Sequence, residues 1–345
     1  MPTGYSLGDY LNRRYRETRR ELGCEATDPA QLASWQQAFG TKLRELMSPF
    51  PESAPLNAQV LEQVREDGYT REAIVFQSEP DVLVPAYLLV PSAPAATDRR
   101  PAILALHGHG NGKDDVCGIT YGEERRVERI RQHNYDYAAQ FARRGYVVLA
   151  PDARGFGERR VGHDFAGADG CNVVYLKAQL LGLNPLSLNV WDARRAIDLL
   201  QSRPEVDPDR IGAVGLSFGG TWTMFTAALD ARIKAAVISG YLNTFEAFAL
   251  GLGNFCGSQV VPGLLRYGEQ SDVASLIAPR PVLYENGIAD DGFPVEAAKA
   301  AFRRIKAAYD AAGAGDRVAL DLHDGGHQFL GRHAFDWLAR WLGGD

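Results

Sequence analysis

The chain has 345 residues, 46% of them hydrophobic and 23% charged, the mixture of a globular protein able to bury a large core. Its 37 basic and 43 acidic residues leave a net charge of −6, so no basic excess exists to neutralise a phosphate backbone, and nucleic acid is not an expected partner. No apolar run approaches the ~20 residues of a membrane span, and the N-terminus lacks the apolar stretch of a secretory leader.

Cys24, Cys117, Cys171 and Cys256 lie far apart and form no CxxC pair. They read as reduced thiols of a cytoplasmic protein, not as a disulfide framework or a zinc site. Residues 1–72 read as a helical extension. Leu11, Tyr15, Thr18 and Leu22 fall along one helical stripe, and the arginines around them alternate with Glu17 and Glu21 as on a solvated face. A second helix is signalled by Asp28 as N-cap, Pro29 at the first helical position and Gln31 as a capping-box partner. Leu32, Trp35, Phe39, Leu43 and Leu46 form its apolar face, which must pack on the rest of the chain. These helices suit either a packed arm or a dimer surface.

From residue 73 the pattern changes to short strands. Ile74–Phe76 and Ala86–Val90 read as an antiparallel pair, followed by a Pro/Ala-rich surface loop over 91–101. Buried-type runs follow at Ala102–Leu106, Tyr146–Ala150, Ile211–Gly215, Ala235–Ile238, Val282–Tyr284 and Val318–Leu322. Helices separate them, one carrying Val190, Ala193, Ile197 and Leu200 on one face, the last carrying Phe335, Leu338 and Leu342. Continuous apolar strands joined by helices predict an α/β fold with a mostly parallel sheet of eight strands, covered on both faces.

Gly215-Leu-Ser217-Phe-Gly219 follows one of these strands and precedes a predicted helix over Thr221–Leu229, the strand-turn-helix setting of a G-x-S-x-G nucleophile elbow. A serine hydroxyl needs a base. His327 lies in Asp324-Gly-Gly-His327 between the last strand and the last helix, with His323 and His333 as competitors. The base needs a carboxylate; Asp290 follows the strand Val282–Tyr284, and Asp291 is one residue away. The order Ser217, Asp290, His327 is that of an α/β-hydrolase. The expected oxyanion donors are the backbone N–H groups of Phe218 and of His109, in His107-Gly-His-Gly110. The two imidazoles, with Asp114 and Asp115 nearby, also admit a metal reading, but glycines that let backbone approach substrate explain this loop. No metal and no cofactor are expected.

These motifs, with Pro151-Asp-Ala-Arg-Gly-Phe-Gly157, Leu276-Ile-Ala-Pro-Arg-Pro281 and Gly325-Gly-His327, make residues 73–345 resemble the dienelactone-hydrolase and acetyl-xylan-esterase branch of the α/β-hydrolases. Its bacterial members include proteins with an N-terminal helical extension. The resemblance implies a cofactor-free serine esterase with Ser217, Asp290 and His327 as triad, acting on a small-molecule ester, with acetyl-type acyl groups favoured. Dienelactone hydrolases proper carry a cysteine where this chain has Ser217, which argues for simple esters. Asp152 and Arg154 read either as substrate contacts or as an ion-paired turn.

Residues 241–271, with Tyr241, Phe245, Phe248 and Phe255, read as a cap over the pocket, and Cys256 within them as a buried small hydrophobe. Gly118–Asn134 is a second insertion, with a solvated helix in Glu123–Arg129. Two other functions fit the fold: a serine peptidase of the prolyl-oligopeptidase type, whose propeller does not fit into the first 72 residues, and a non-catalytic binding protein.

Overall fold

A computed structural model describes residues 6–92, 99–160 and 170–343. The loop expected over 91–101 lies largely outside them. Nine strands form one sheet: β1 (Gln59–Arg65), β2 (Tyr69–Glu79), β3 (Val82–Pro91), β4 (Arg100–Leu106), β5 (Val147–Pro151), β6 (Val206–Leu216), β7 (Ile233–Ser239), β8 (Val282–Gly287) and β9 (Val318–His323). Their order is β1-β2-β3-β5-β4-β6-β7-β8-β9. The pairings β1–β2, β2–β3 and β3–β5 are antiparallel; from β5 through β4 to β9 all neighbours are parallel.

Eleven α-helices accompany the sheet among the described residues: α1 (Leu7–Glu17), α2 (Pro29–Leu46), α3 (Lys113–Cys117), α4 (Glu124–His133), α5 (Tyr137–Arg143), α6 (Gly170–Leu180), α7 (Pro185–Ser202), α8 (Phe218–Leu229), α9 (Gln270–Ser275), α10 (Val295–Ala311) and α11 (Ala334–Leu342). None is long and apolar enough to cross a membrane. Alternation along the central strands feeds two cores. Ala102, Leu104 and Leu106 of β4 join Phe39, Val190, Trp222 and Ile305 on one face. Ile103 and Ala105 join Phe141, Leu338 and Leu342 on the other. Both faces of β4 are therefore dry, which is why its sequence is continuously apolar.

Two expectations for residues 1–72 are corrected. The helical part ends at Leu46, and Gln59–Arg65 is a ninth strand at the sheet edge, almost wholly exposed. With no buried face, β1 carries no period-2 pattern. Its one local signal is Asp67-Gly68, a hairpin turn closed by Glu66 N–H donating to the Tyr69 carbonyl at 2.9 Å. The stripe through Leu22 is also not one helix: α1 stops at Glu17, Thr18 is extended, and no residue of α1 is buried. Polar contacts hold that segment to the chain, led by Tyr15 Oη donating to Glu269 Oε2 at 2.9 Å.

The second helix forms as its sequence requires. Asp28 Oδ1 accepts the N–H of Gln31 at 2.8 Å, and Leu32, Phe39 and Leu43 are buried against α8, α10 and the main core. Gln36 Nε2 reaches the Ala278 carbonyl at 2.7 Å. Residues 29–46 are thus a packed part of the body. Phe39 is fully buried. Truncation to Phe39→Ala is expected to destabilise the fold by about 3–5 kcal/mol, read as a lower denaturant midpoint; a change within about 0.5 kcal/mol would show that α2 is not part of the cooperative unit.

Candidate active site

Strand β6 ends at Leu216, and α8 begins at Phe218. Between them Ser217 sits at φ 63°, ψ −123°, a conformation costly for a side-chain-bearing residue. The turn closes this tightly because Gly215 and Gly219 face each other and the Leu106 carbonyl; a Cβ at either would collide with backbone. Ser217 N–H donates to the Ser239 carbonyl at 2.9 Å, tying the elbow to the end of β7. Phe218, as the first helical residue, has no intrahelical acceptor for its N–H.

His327 stands in the loop after β9. Its Nδ1 lies 2.7 Å from Asp290 Oδ2, and its carbonyl accepts from His133 Nδ1 at 2.6 Å. Asp290 is 5% exposed, and its other oxygen accepts the N–H of Gly292 at 2.9 Å. Asp291 points to solvent. The Phe293 ring stacks on His327 at 5.3 Å and 11°, and the imidazole lies against Gly240, next to the residue that holds Ser217. Of the competing histidines, His323 is buried with Nδ1 accepting from Gly325 N–H, and burial lowers its pKa. His333 is the exposed N-cap of α11.

The loop after β4 passes directly over the elbow. Gly108 is so close to Ser217 and the Leu216 carbonyl that a side chain there would displace them. His107 is fully buried, its Nε2 accepting the N–H of Ala153 at 2.9 Å while Nδ1 donates to the Gly108 carbonyl at 2.7 Å. Burial depresses its pKa, and both ring nitrogens are occupied. Asp115 accepts from Asn111 N and Nδ2, and Asp114 from Tyr87 and Arg126. The cluster of His107, Asp114 and Asp115 is structural.

The Asp-x-Arg-Gly-x-Gly turn is an ion-paired device. Buried Asp152 accepts from Lys113 N (2.7 Å), Lys113 Nζ (2.8 Å) and Glu158 N (3.0 Å). Arg154 makes a fork on Asp192 with contacts of 2.9 and 2.8 Å and reaches Glu79.

A cavity of about 360 Å³ opens beside Ser217, with walls from His109, Asn254, Phe255, Cys256, Gln259 and Phe293. Residues 253–259 belong to the segment expected as a cap, and in place of a long helix they use short turns. A second cavity of about 290 Å³ shares His109 and adds Phe156, Arg160 and Cys171.

Cys256 is buried in the main core, as expected from its sequence, and it also has polar neighbours. Its Sγ lies 3.2 Å from His109 Nε2, and Cys171 Sγ lies 3.6 Å from the same nitrogen. Hydrogen bonding from Cys171 first, then from His109, lowers the Cys256 pKa against the cost of burial. Among the described residues this trio is the one set of His, Cys, Asp or Glu side chains with metal-ligand spacing. Sequence spacing gave no sign of it, since Cys171 and Cys256 stand 62 and 147 residues from His109.

A serine on a strained turn at the carboxyl edge of a mostly parallel sheet, with a His–Asp pair from the loops after β8 and β9, is the arrangement of an α/β-hydrolase. The Abhydrolase family model (Abhydrolase_7) matches residues 21–329, and the chain belongs to that family. The Bacillus subtilis protein designated "Putative hydrolase YtaP" is 28% identical over 310 residues, which span 87% of this chain and 98% of its own. Among solved structures, a "putative acetyl xylan esterase" from Bacteroides fragilis superposes with a TM-score of 0.77 over 94% of this chain and 84% of that one, at 21% identity. The acetyl xylan esterase from Paenibacillus sp. R4 gives a TM-score of 0.60 over 96% and 98%, at 20% identity. At these identities the likeness to solved structures is one of fold.

Glu285, in β8 beneath the site, has a carbonyl that accepts Gly240 N–H at 2.7 Å and a carboxyl buried with Oε2 unpartnered. Burial pushes its pKa up from 4.5 to about 7. The fold thus favours the neutral acid, so this contribution to stability is fully present below about pH 4.5 and is lost as pH rises through about 7. Glu285→Gln is therefore expected to raise Tm by a few degrees at pH 8 and to change it little at pH 5. Equal shifts at both pH values in calorimetry would show that ionisation of Glu285 is not the cause.

Proposed function

We propose that the protein is a serine hydrolase of carboxylic esters with short, acetyl-type acyl groups, working through an acyl-enzyme on Ser217. The observation that carries this reading is the 2.7 Å contact of His327 Nδ1 with buried Asp290, set beside a serine held at positive φ. Asp290 holds the proton on Nδ1, which leaves Nε2 as the basic atom. Nε2 takes the Ser217 proton as Oγ attacks the ester carbonyl, then returns it to the leaving alcohol. Water repeats the sequence on the acyl-enzyme.

The N–H groups of Phe218 and His109 bind the oxyanion in this scheme. A helix N-terminus supplies the first, and the second rides on the loop that crosses the elbow at Gly108. The modest volume of the cavity, about 360 Å³, supports a small acyl group, as does the acetyl xylan esterase designation of the neighbours in fold. A peptidase reading has one relative's name in its favour, the Bacillus subtilis "Uncharacterized peptidase YuxL", 25% identical over 246 residues that span 68% of this chain and 33% of its own.

The test is hydrolysis of p-nitrophenyl acetate, butyrate and octanoate. Turnover is expected to fall with chain length and to vanish in Ser217→Ala; equal rates from both proteins would refute the nucleophile. Asp290→Asn is expected to lower kcat by about 10⁴, whereas Asp291→Asn stays within a few-fold of the wild type. The reverse ranking would move the acid to Asp291.

A further inference from the structure

We propose that His109 Nε2, Cys171 Sγ and Cys256 Sγ bind one thiophilic divalent cation of the zinc class, in the wall shared by the two cavities. The three atoms come from the loop after β4, from α6 and from the cap segment, and all lie within 4.8 Å of one another. A tetrahedral zinc ion takes sulfur at ~2.3 Å and imidazole nitrogen at ~2.0–2.1 Å, so its ligand atoms sit about 3.5 Å (N to S) and about 3.8 Å (S to S) apart. The observed N-to-S distances of 3.2 and 3.6 Å meet that requirement to within a few tenths of an ångström.

The surroundings hold the ligands in place. The His109 ring packs against the stacked pair Phe156 and Phe218, with centroids at 5.4 and 5.6 Å. Cys256 N–H donates to Gln259 Oε1 at 3.1 Å, and Gln259 Nε2 donates to Thr221 at 2.9 Å. Asn172 Oδ1 accepts the N–H of Gly257 at 2.8 Å, joining the residue after Cys171 to the residue after Cys256. Two soft sulfurs and one imidazole select zinc-class cations over magnesium or calcium.

Binding forms two metal–thiolate bonds and one metal–imidazole bond. Both thiol protons go to solvent, no atom changes oxidation state, and the charges of the cation and the two thiolates cancel. The fourth position is filled by water or by an oxygen of a molecule in the cavity. His109 and Cys256 also line the cavity of Ser217, so the cation clips the cap segment to the loop that carries His109. The site rests on this geometry alone and not on ester hydrolysis.

The experiment is titration of the full chain, reduced with a phosphine and stripped of metal, with cobalt(II) and then zinc(II). One equivalent of cobalt is expected to bind with the intense near-ultraviolet absorption of thiolate-to-cobalt charge transfer, and zinc to abolish it. Cys171→Ser and Cys256→Ser are each expected to weaken cobalt binding more than ~10-fold, while Cys24→Ser binds as the wild type does. Zinc should raise Tm in the wild type and not in the Cys171→Ser/Cys256→Ser double variant. Absence of the charge-transfer absorption in the wild type would overturn the proposal whether or not the variants fold. So would its persistence in the double variant.

Discussion

Ser217 can hold φ 63° only because its neighbours leave no alternative. A residue with a side chain in that conformation stores strain on the order of 1–3 kcal/mol. The surrounding structure supplies the restraint: β6 enters through its buried end, Ile211–Leu216, α8 leaves as a buried helix, and Gly215 and Gly219 let the two approach the Leu106 carbonyl. Every other part of the site is placed relative to that turn. The β4 loop crosses it at Gly108, β7 grips it through Ser239, and the loops after β8 and β9 deliver Asp290 and His327 to its edge.

The polar residues crowded at this edge divide by their partners. Asp152, Lys113, Arg154, Arg159 and Asp192 satisfy one another in a buried network, and His107 spends both nitrogens on backbone. Breaking any member would leave a charge or a polar group unpaired in a low-dielectric interior, so these residues shape the loops through the cost of disturbing them. Ser217 differs in lining a cavity, and His327 is half-exposed against buried Asp290. His109 belongs to both groups: its backbone runs over the elbow, and its ring turns to two sulfurs.

The N-terminal segment contacts the segment 245–272 and not the cavity beside Ser217. Tyr15 and Arg20 meet Glu269, the backbone N–H of Cys24 donates to Asp272 at 2.9 Å, and Glu269 in turn accepts the N–H of Phe245 at 2.8 Å. Burial raises the pKa of both Glu269 and Asp272, so a line of partly desolvated carboxyl groups joins the arm to the segment that walls the cavity. Little apolar area backs α1. The arm is held by polar contacts, which salt and pH will modulate more than they modulate the core.

The sequence by itself determined whatever depends on near neighbours along the chain. Asp28 and Pro29 started α2, the apolar runs located the central strands, and Gly215-Leu-Ser217-Phe-Gly219 marked a turn that few other residue types can make. Tertiary structure decided the rest, because it depends on distances through space. Exposure at the sheet edge left β1 without a pattern, and α1 ended at Glu17 because no surface waited for its stripe. Asp290 and Asp291 differ by one position, and only the fold of the β8 loop buries one against His327 and turns the other to solvent. His109, Cys171 and Cys256 meet because the loop after β4, the start of α6 and the 253–259 segment converge. Separations of 62 and 147 residues carry no local trace of that meeting.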